Sequence, residues 1–329
     1  MKALEFTGVS KSYGAVKALS EVSFAVERGE MFGLIGPDGA GKTTSIRVAC
    51  GLLRADSGRV RVLGHDPVDE HRQITGLVGY LSQRFSLYGD LTIDENVAFF
   101  AEIHGVGDYR AARDRLLEMT QLTRFRQRRA DRLSGGMKQK LALACTLVHE
   151  PDLLILDEPT TGVDPVARRE FWKLLSEFLA RGLTIIMATP YLDEAERCGR
   201  VLLLHEGGVL AVDEPSALQA SLAGRLYEVI AATPRPPLDV LRGVTGVVDA
   251  QGFGDRAHVT VVAGAAAPRG AVPGADEVGE RIRSALTRQG IEVVSVRPIA
   301  ASLEDVFIGM LGAGTDAAGA GADAEGTGN

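Results

Sequence analysis

The chain has 329 residues, 45% of them hydrophobic, enough to fill the core of one large α/β domain and a smaller one. A formal net charge of −7 leaves no whole-chain electrostatic footprint for nucleic acid, and three widely spaced cysteines, Cys50, Cys145 and Cys198, argue against a disulfide framework or a metal cluster. No window approaches the roughly 18 consecutive apolar residues of a membrane span, and the start, MKALEFTGVSKSYG, has no apolar secretory core, so a cytoplasmic protein is expected.

The first 30 residues alternate like two strands, LEFTGV and VSFAVE, joined through SKSYGAVKAL. GEMFGLIG reads as a buried strand that runs into a glycine-rich turn and the helix TTSIRVACGLL. Between about 84 and 150 the pattern is helical, with Met137, Leu141, Ala144, Cys145 and Val148 at helix spacing. This predicts a helical subdomain inserted into the sheet domain. Within it, TRFRQRR (123–129) reads first as a solvated helix end or loop and second as a docking patch for a partner or for lipid headgroups. LLILD and LTIIMAT are further buried strands, separated by a helix carrying FWKLLSEFLA, and the alternation implies a largely parallel sheet covered on both faces. VLLLHEGGVLAV closes as a hairpin at Gly207 and Gly208, which sets the first domain at 1–218. Beyond it the order is βαββαβ, a small ferredoxin-like α+β module over 222–312 that ends with the helix SLEDVFIGML. The Gly/Ala-rich remainder, 313–329, has almost nothing to bury and is expected to be disordered.

Three motifs carry chemistry. GPDGAGKT (36–43) fits G-x-x-x-x-G-K-[ST] and lies between a predicted strand and a predicted helix, the context that pattern requires. The backbone of Gly36, Pro37, Asp38, Gly39, Ala40 and Gly41 would wrap phosphate oxygens at a helix N-terminus, continued by Thr44. Lys42 would reach the β- and γ-phosphates, and Thr43 would ligate magnesium. LLILDEP then ends a buried strand in two carboxylates, which is costly unless they are used. Asp157 can reach a magnesium ion held by Thr43, and Glu158 can orient or deprotonate an attacking water; taken alone, the two could equally be a surface acidic pair. LSGGMKQ (133–139) opens a helix with the bare amides of Ser134, Gly135 and Gly136, a second phosphate site. One P-loop and one separate anion-binding helix start make most sense if they face each other across two copies.

On these motifs, in this order, residues 3 to 216 resemble the ATP-binding cassette (ABC) family, whose P-loop NTPase domains sandwich ATP between the P-loop of one copy and the LSGGQ-like helix of the other. Met137 stands where the family usually has glutamine. The resemblance implies that Tyr13 stacks on adenine, that Gln83 senses magnesium and water and begins the segment touching a membrane subunit, and that Asp164 lies in the loop crossing between copies. It also exposes a departure. In MATPYLDEAE, Pro190 occupies the place of the family's histidine, which donates to the γ-phosphate, and proline has neither a side-chain donor nor a backbone N–H. Water, Thr189 or Tyr191 would have to compensate. QRFSLYGDLTIDENVAFFAEIHG, DEAERC and the late SLEDVF helix are most similar to ATPase subunits of ABC-2 type exporters resembling daunorubicin-resistance efflux systems. The resemblance thus implies ATP and Mg²⁺ as cofactors, with a second nucleotide-binding domain and a separate integral-membrane permease as partners. A regulatory cassette with little turnover and a soluble non-transport ABC ATPase are the alternatives.

Overall fold

The computed structural model describes residues 1–83, 87–222, 225–233, 235–262 and 277–319, with side chains to 311. The chain divides into two units, Met1–Glu214 and Pro215–Asn329.

In the first unit the opening segments form β1 (Lys2–Tyr13) and β2 (Val16–Glu27), paired antiparallel. SKSY therefore belongs to a strand, where the sequence reading made it a connection. Ser12 and Tyr13 pair with Lys17 and Val16, so backbone bonds hold a stretch whose side chains show no apolar alternation. β3 (Met31–Ile35) follows, then α1 (Lys42–Ala49), β4 (Ser57–Val62), α2 (His71–Leu77) and β5 (Val78–Leu81). The last three were not assigned from sequence: SGRVRV buries two side chains and α2 buries one, too few to register as a period. β4 pairs with β1, completing a three-stranded antiparallel sheet in the order β2-β1-β4.

The helical insertion comprises α3 (Ile93–Ile103), α4 (Arg110–Met119) and α5 (Gly135–Leu147). α3 opens with a capping box in which Thr92 accepts the Glu95 amide and Glu95 accepts that of Thr92. Then come β6 (Leu153–Asp157), α6 (Pro165–Ala180), β7 (Thr184–Thr189), α7 (Leu192–Ala195), β8 (Arg200–His205) and β9 (Gly208–Asp213). These complete a six-stranded sheet in the order β5-β6-β7-β3-β8-β9, parallel except for the β8–β9 hairpin. β3, β6 and β7 have every residue buried, as strands covered on both faces must. Phe6, Phe24 and Phe32 stack in series at 4.8 and 5.6 Å, joining the antiparallel sheet to β3. The carboxyl ends of β3, β6 and β7 lie side by side, with Ile35 opposite Thr189 and Asp157 opposite Ala188. Ligands of open α/β sheets bind at such strand ends.

The second unit contains α8 (Pro215–Ala220), β10 (Leu226–Ala231), α9 (Leu238–Arg242), β11 (Val247–Phe253), β12 (Arg256–Val261), α10 (Glu277–Arg288), β13 (Val293–Pro298) and α11 (Leu303–Gly319). Its antiparallel sheet, in the order β11-β12-β10-β13, has the ferredoxin-like arrangement of a βαββαβ chain. Tyr227, Val229, Val259 and Ile282 anchor its core. On β10 the buried Glu228 is clasped by Arg297 and Arg256, each at 2.8 Å, which holds its carboxyl below the usual range. Two boundaries differ from the sequence reading. α8 belongs to the second unit, and α11 continues to Gly319, past residue 313 where a tail is expected. Residues 320–329 of that expected tail lie outside the described residues.

At the insertion, His104 and His149 stack face to face with centroids 3.8 Å apart. Burial, and then the neighbouring ring, push His149 down to about 4 from an ordinary 6.5. The unfolded chain therefore takes up this proton first, so stability rises with pH across that window and is lost on acidification through it. Denaturant titrations between pH 6.5 and about 4 are expected to show this slope in wild type, and His149→Leu is expected to flatten it.

Candidate functional site

Between Ile35 and Lys42 the chain must leave the sheet, turn and enter α1, and the glycines are dictated by space. A Cβ on Gly36 would lie 2.3 Å from the Leu204 carbonyl, and one on Gly41, at φ +107°, would lie 2.6 Å from the Ala18 carbonyl. Gly39 is also left-handed, at φ +82°. The Ala40 amide closes the turn on the Pro37 carbonyl at 3.1 Å, and the Ser45 hydroxyl donates to the Gly41 carbonyl at 3.0 Å. Lys42 is 4% exposed; its Nζ donates to the carbonyls of Gly36 at 2.8 Å and Pro37 at 3.1 Å. The ammonium is thus held against the inside of the loop, with Asp38 Oδ1 4.0 Å away.

The carboxylates arrive from β6. Thr43 Oγ1 donates to Asp157 Oδ1 at 3.1 Å, across the gap between α1 and the strand tip. Asp157 is buried, and burial first, with the Glu158 charge adding to it, holds its carboxyl above the usual range. Glu158 adopts a left-handed φ of +49°, and its amide donates to the Ala188 carbonyl at 2.9 Å. A non-glycine residue held there costs about 1–3 kcal/mol and marks a functional constraint. Its side chain is the hub of the site: Oε1 lies 3.5 Å from Lys42 Nζ, and Oε2 accepts from Gln83 Nε2 at 3.0 Å and from the Thr161 hydroxyl at 3.4 Å. Thr161 has no distinguishing pattern in the sequence and was not singled out there.

Lys42, Thr43, Gln83, Glu158 and Thr161 line a cleft of about 610 Å³ together with Tyr13, Val16, Asp38, Gly39, Gly41, Thr44, Pro190 and Tyr191. Tyr13 is 47% exposed at the end of β1, so its ring face is open to a planar ligand. Pro190 follows β7 directly and reaches the cleft. The surrounding bonds restrict what can replace a histidine there. Glu194, 1% exposed, accepts the Thr189 hydroxyl at 2.7 Å and the Thr160 hydroxyl at 2.5 Å, with Arg168 Nε 3.7 Å away. The single hydroxyl proton of Thr189 is therefore committed, and its oxygen accepts the Tyr191 amide at 3.1 Å. Of the two side chains named as substitutes, Tyr191 is the one left in the cleft, its ring 5.1 Å from the Arg168 guanidinium. The Thr160–Glu194–Thr189 tie was not anticipated: DEAE reads as acids complementing a helix start, and nothing local marks one of them as buried.

Ser134, Gly135, Gly136 and Asp164 are brought together elsewhere and do not line this cleft. Ser134 caps α5 by accepting the Met137 amide at 3.3 Å; Gly135 is exposed at this helix start and Gly136 is buried. Asp164 caps α6, accepting the amides of Val166 at 3.1 Å and Ala167 at 3.0 Å. A Cβ on Gly136 would come within 2.6 Å of Ala167 Cβ, so the two helix starts are in close contact. Gln139 joins them to the catalytic side by donating to the Pro159 carbonyl.

Since the buried Asp157 carboxylate is disfavoured when ionised, Asp157→Asn is expected to raise the Tm of the nucleotide-free protein by about 2–4 °C while impairing magnesium-dependent nucleotide binding. Differential scanning calorimetry with and without MgATP checks both halves; a lowered Tm would contradict the burial argument.

Comparison with known proteins places this geometry. Residues 19–161 match the ABC transporter family profile. The probable multidrug ABC transporter ATP-binding protein YbhF of Escherichia coli (strain K12) is 48% identical over 212 residues, 64% of this chain but 37% of that protein's own length. Nod factor export ATP-binding protein I of Rhizobium sp. (strain N33) is 34% identical over 314 residues, covering 94% of this chain and 97% of its own. Among solved structures, an ATP-binding subunit of an ABC transporter superposes with a TM-score of 0.60 at 33% identity, covering 67% of this chain and 92% of its own. A bacterial ABC transporter cassette solved as a dimer gives 0.59 at 26% identity, covering 64% and 98%. With the whole length of an export ATP-binding protein matched and the P-loop, strand-end carboxylates and signature helix in place, this chain belongs to the ABC transporter family, as one of its ATP-binding proteins.

Proposed function

We propose that the chain is the ATP-hydrolysing motor of an ABC-2 type exporter of the multidrug-efflux kind, which closes in pairs around MgATP and drives a separate integral-membrane permease from the cytoplasmic side. The observation that carries the reading is the separation of two phosphate-binding surfaces on one unit: Lys42, Thr43, Glu158 and Gln83 line the cleft, with Asp157 bonded to Thr43, whereas Ser134–Gly136 do not line it. Each surface is half a site, and a second copy offers the other half. The multidrug and Nod factor export relatives support an export role.

The residues fit the group they would hold. Gly36 and Gly41 let the loop pass against the Leu204 and Ala18 carbonyls in the turn that a phosphate needs, and Lys42 is a buried cation whose amine is satisfied by loop carbonyls that a phosphate can replace. Thr43, Asp157 and Gln83 would hold magnesium, which screens phosphate charge when bound. Glu158, fixed by its backbone bond to Ala188 and its side-chain bond to Gln83, is placed to orient a water and take its proton. Tyr13 would stack on the base, and Ser134, Gly135 and Gly136 would meet the terminal phosphate of the partner's nucleotide, with Asp164 beside them.

Lys42→Ala is expected to abolish tight ATP binding in a fluorescence titration, because it removes the cation of the cradle. Glu158→Gln should retain binding, lower kcat at least about 10²-fold and accumulate as an ATP-bound dimer on size-exclusion chromatography. A strictly monomeric Glu158→Gln protein with saturating MgATP would overturn the paired-site reading.

Pro190 makes this motor slow. Loss of one aligned donor to transition-state charge costs about 10²–10³ in rate, and Thr189 is already bonded to Glu194. Pro190→His is therefore expected to raise kcat about tenfold or more with little change in ATP affinity. An unchanged kcat in the folded variant would assign the missing donor to another group, Tyr191 first.

A further inference from the structure

The segment TRFRQRR carries a cluster of positive charge on the first unit. Arg124, Phe125, Gln127, Arg128, Arg129 and Arg132 line an open cleft of about 540 Å³ without a carboxylate among them. Arg126 is occupied inward, by Asp94 and Asp114 at 2.9 Å each. The other four arginines are exposed; among the described residues Arg124, Arg128 and Arg132 have no ion-pair partner, and Arg129 has only Asp131 at 3.9 Å. Four cations lining one cleft repel one another, and among the described residues only Arg129 has carboxylates near it, Asp131 and, more weakly, Glu95.

The patch is also rigidly placed. The amide of Ile93 donates to the Arg128 carbonyl at 3.0 Å, that of Asp94 to Arg126 at 3.1 Å, that of Ala130 to Leu91 at 2.9 Å and that of Asp131 to Gly89 at 2.9 Å. The arginines are thus stitched to 89–94, the start of α3 and the turn before it, on the segment that follows Gln83. The chemistry of the surface selects its partner. A protein interface is anchored by apolar or aromatic side chains seated in pockets. Here the one aromatic ring, Phe125, carries the guanidiniums of Arg124 and Arg128, each 4.6 Å from its centroid. What is offered is diffuse positive charge without an apolar anchor, which complements a sheet of anionic headgroups. A long nucleic acid, reaching beyond the patch, would also meet a chain whose net charge is −7 overall.

We propose that the surface formed by Arg124, Arg128, Arg129 and Arg132 docks on anionic phospholipid headgroups of a bilayer. The proposal rests on the motor reading above, in which the segment after Gln83 faces a membrane subunit, and it adds a direct lipid contact beside that segment. Such a contact would orient the subunit at the membrane independently of the nucleotide state.

Flotation of the full chain with vesicles of phosphatidylcholine, alone or mixed with phosphatidylglycerol, tests it. Wild type is expected to float with the mixed vesicles at low salt, to be released by salt, and to ignore phosphatidylcholine. Each basic residue at an anionic surface contributes about fivefold, so Arg124→Gln with Arg128→Gln should weaken association about 30-fold. Arg129→Gln with Arg132→Gln should act alike. Arg59→Gln with Arg288→Gln removes the same charge elsewhere and should have no such effect. Equal binding by the patch and control variants, or binding indifferent to phosphatidylglycerol, overturns the proposal. So does binding only to phosphatidylcholine vesicles that contain the permease, which would make the patch a protein contact. ATPase activity of the detergent-solubilised permease complex reads the motor separately: retained there by a patch variant while wild type ignores anionic vesicles, it would remove the lipid contact and leave the motor standing.

Discussion

The site depends on one constraint: β6 must deliver two carboxylates from the dry middle of the sheet to its edge. Leu153 to Leu156 are wholly buried, and Asp157 is still inside when the strand ends, so its charge has little water to stabilise it. The protein answers with Thr43, Lys42 and a polar edge provided by α1. Glu158 then turns out of the sheet through a left-handed backbone that no packing preference would choose. The P-loop, the Gln83 segment and the turn after β6 all acquire their relative positions through these two residues.

A second tie governs the other side of the cleft. Glu194 is a buried carboxylate satisfied by two hydroxyls, one from the segment after β6 and one from the end of β7, with an arginine close by. It makes the Glu158 turn and the Pro190–Tyr191 segment a single rigid edge. The tie also explains why Pro190 is tolerated structurally. The backbone N–H that proline lacks is not needed, because Thr189 and Tyr191 close the turn around it with their own hydrogen bonds.

The starts of α5 and α6 form a second tightly packed group, apart from the P-loop cleft. The α5 and α6 starts are packed so tightly at Gly136 and Ala167 that neither can shift without the other, and both are capped from within by Ser134 and Asp164. Gln139 links this pair to Pro159, beside Glu158. The signature helix is thereby tied by one hydrogen bond to the residue next to Glu158.

Much of the site is legible in the sequence because its parts are local. The P-loop is one turn between a strand and a helix, so its residue pattern is contiguous, although the space that dictates Gly36 and Gly41 is set by the distant Leu204 and Ala18 carbonyls. The strand-end acids and both helix caps are likewise read from neighbouring residues, and the βαββαβ order of the second unit follows from periods of two and 3.6. Elements that bury one or two side chains, β4, α2 and β5, leave no such period, and the extension of β1 to Tyr13 is held by backbone pairing that side-chain patterns do not record. What only the tertiary structure decided are the long-range polar bonds: Gln83 and Thr161 on Glu158, Thr43 on Asp157, and above all Thr160 and Thr189 on Glu194. A hydrogen bond between residues far apart in the chain has no sequence period, because its partners are chosen by where the sheet brings their strands to an end. The sequence by itself determined which chemical groups the protein owns and that Pro190 is no donor; the fold determined that Thr189 cannot serve in its place, since its one proton is already held by a buried carboxylate.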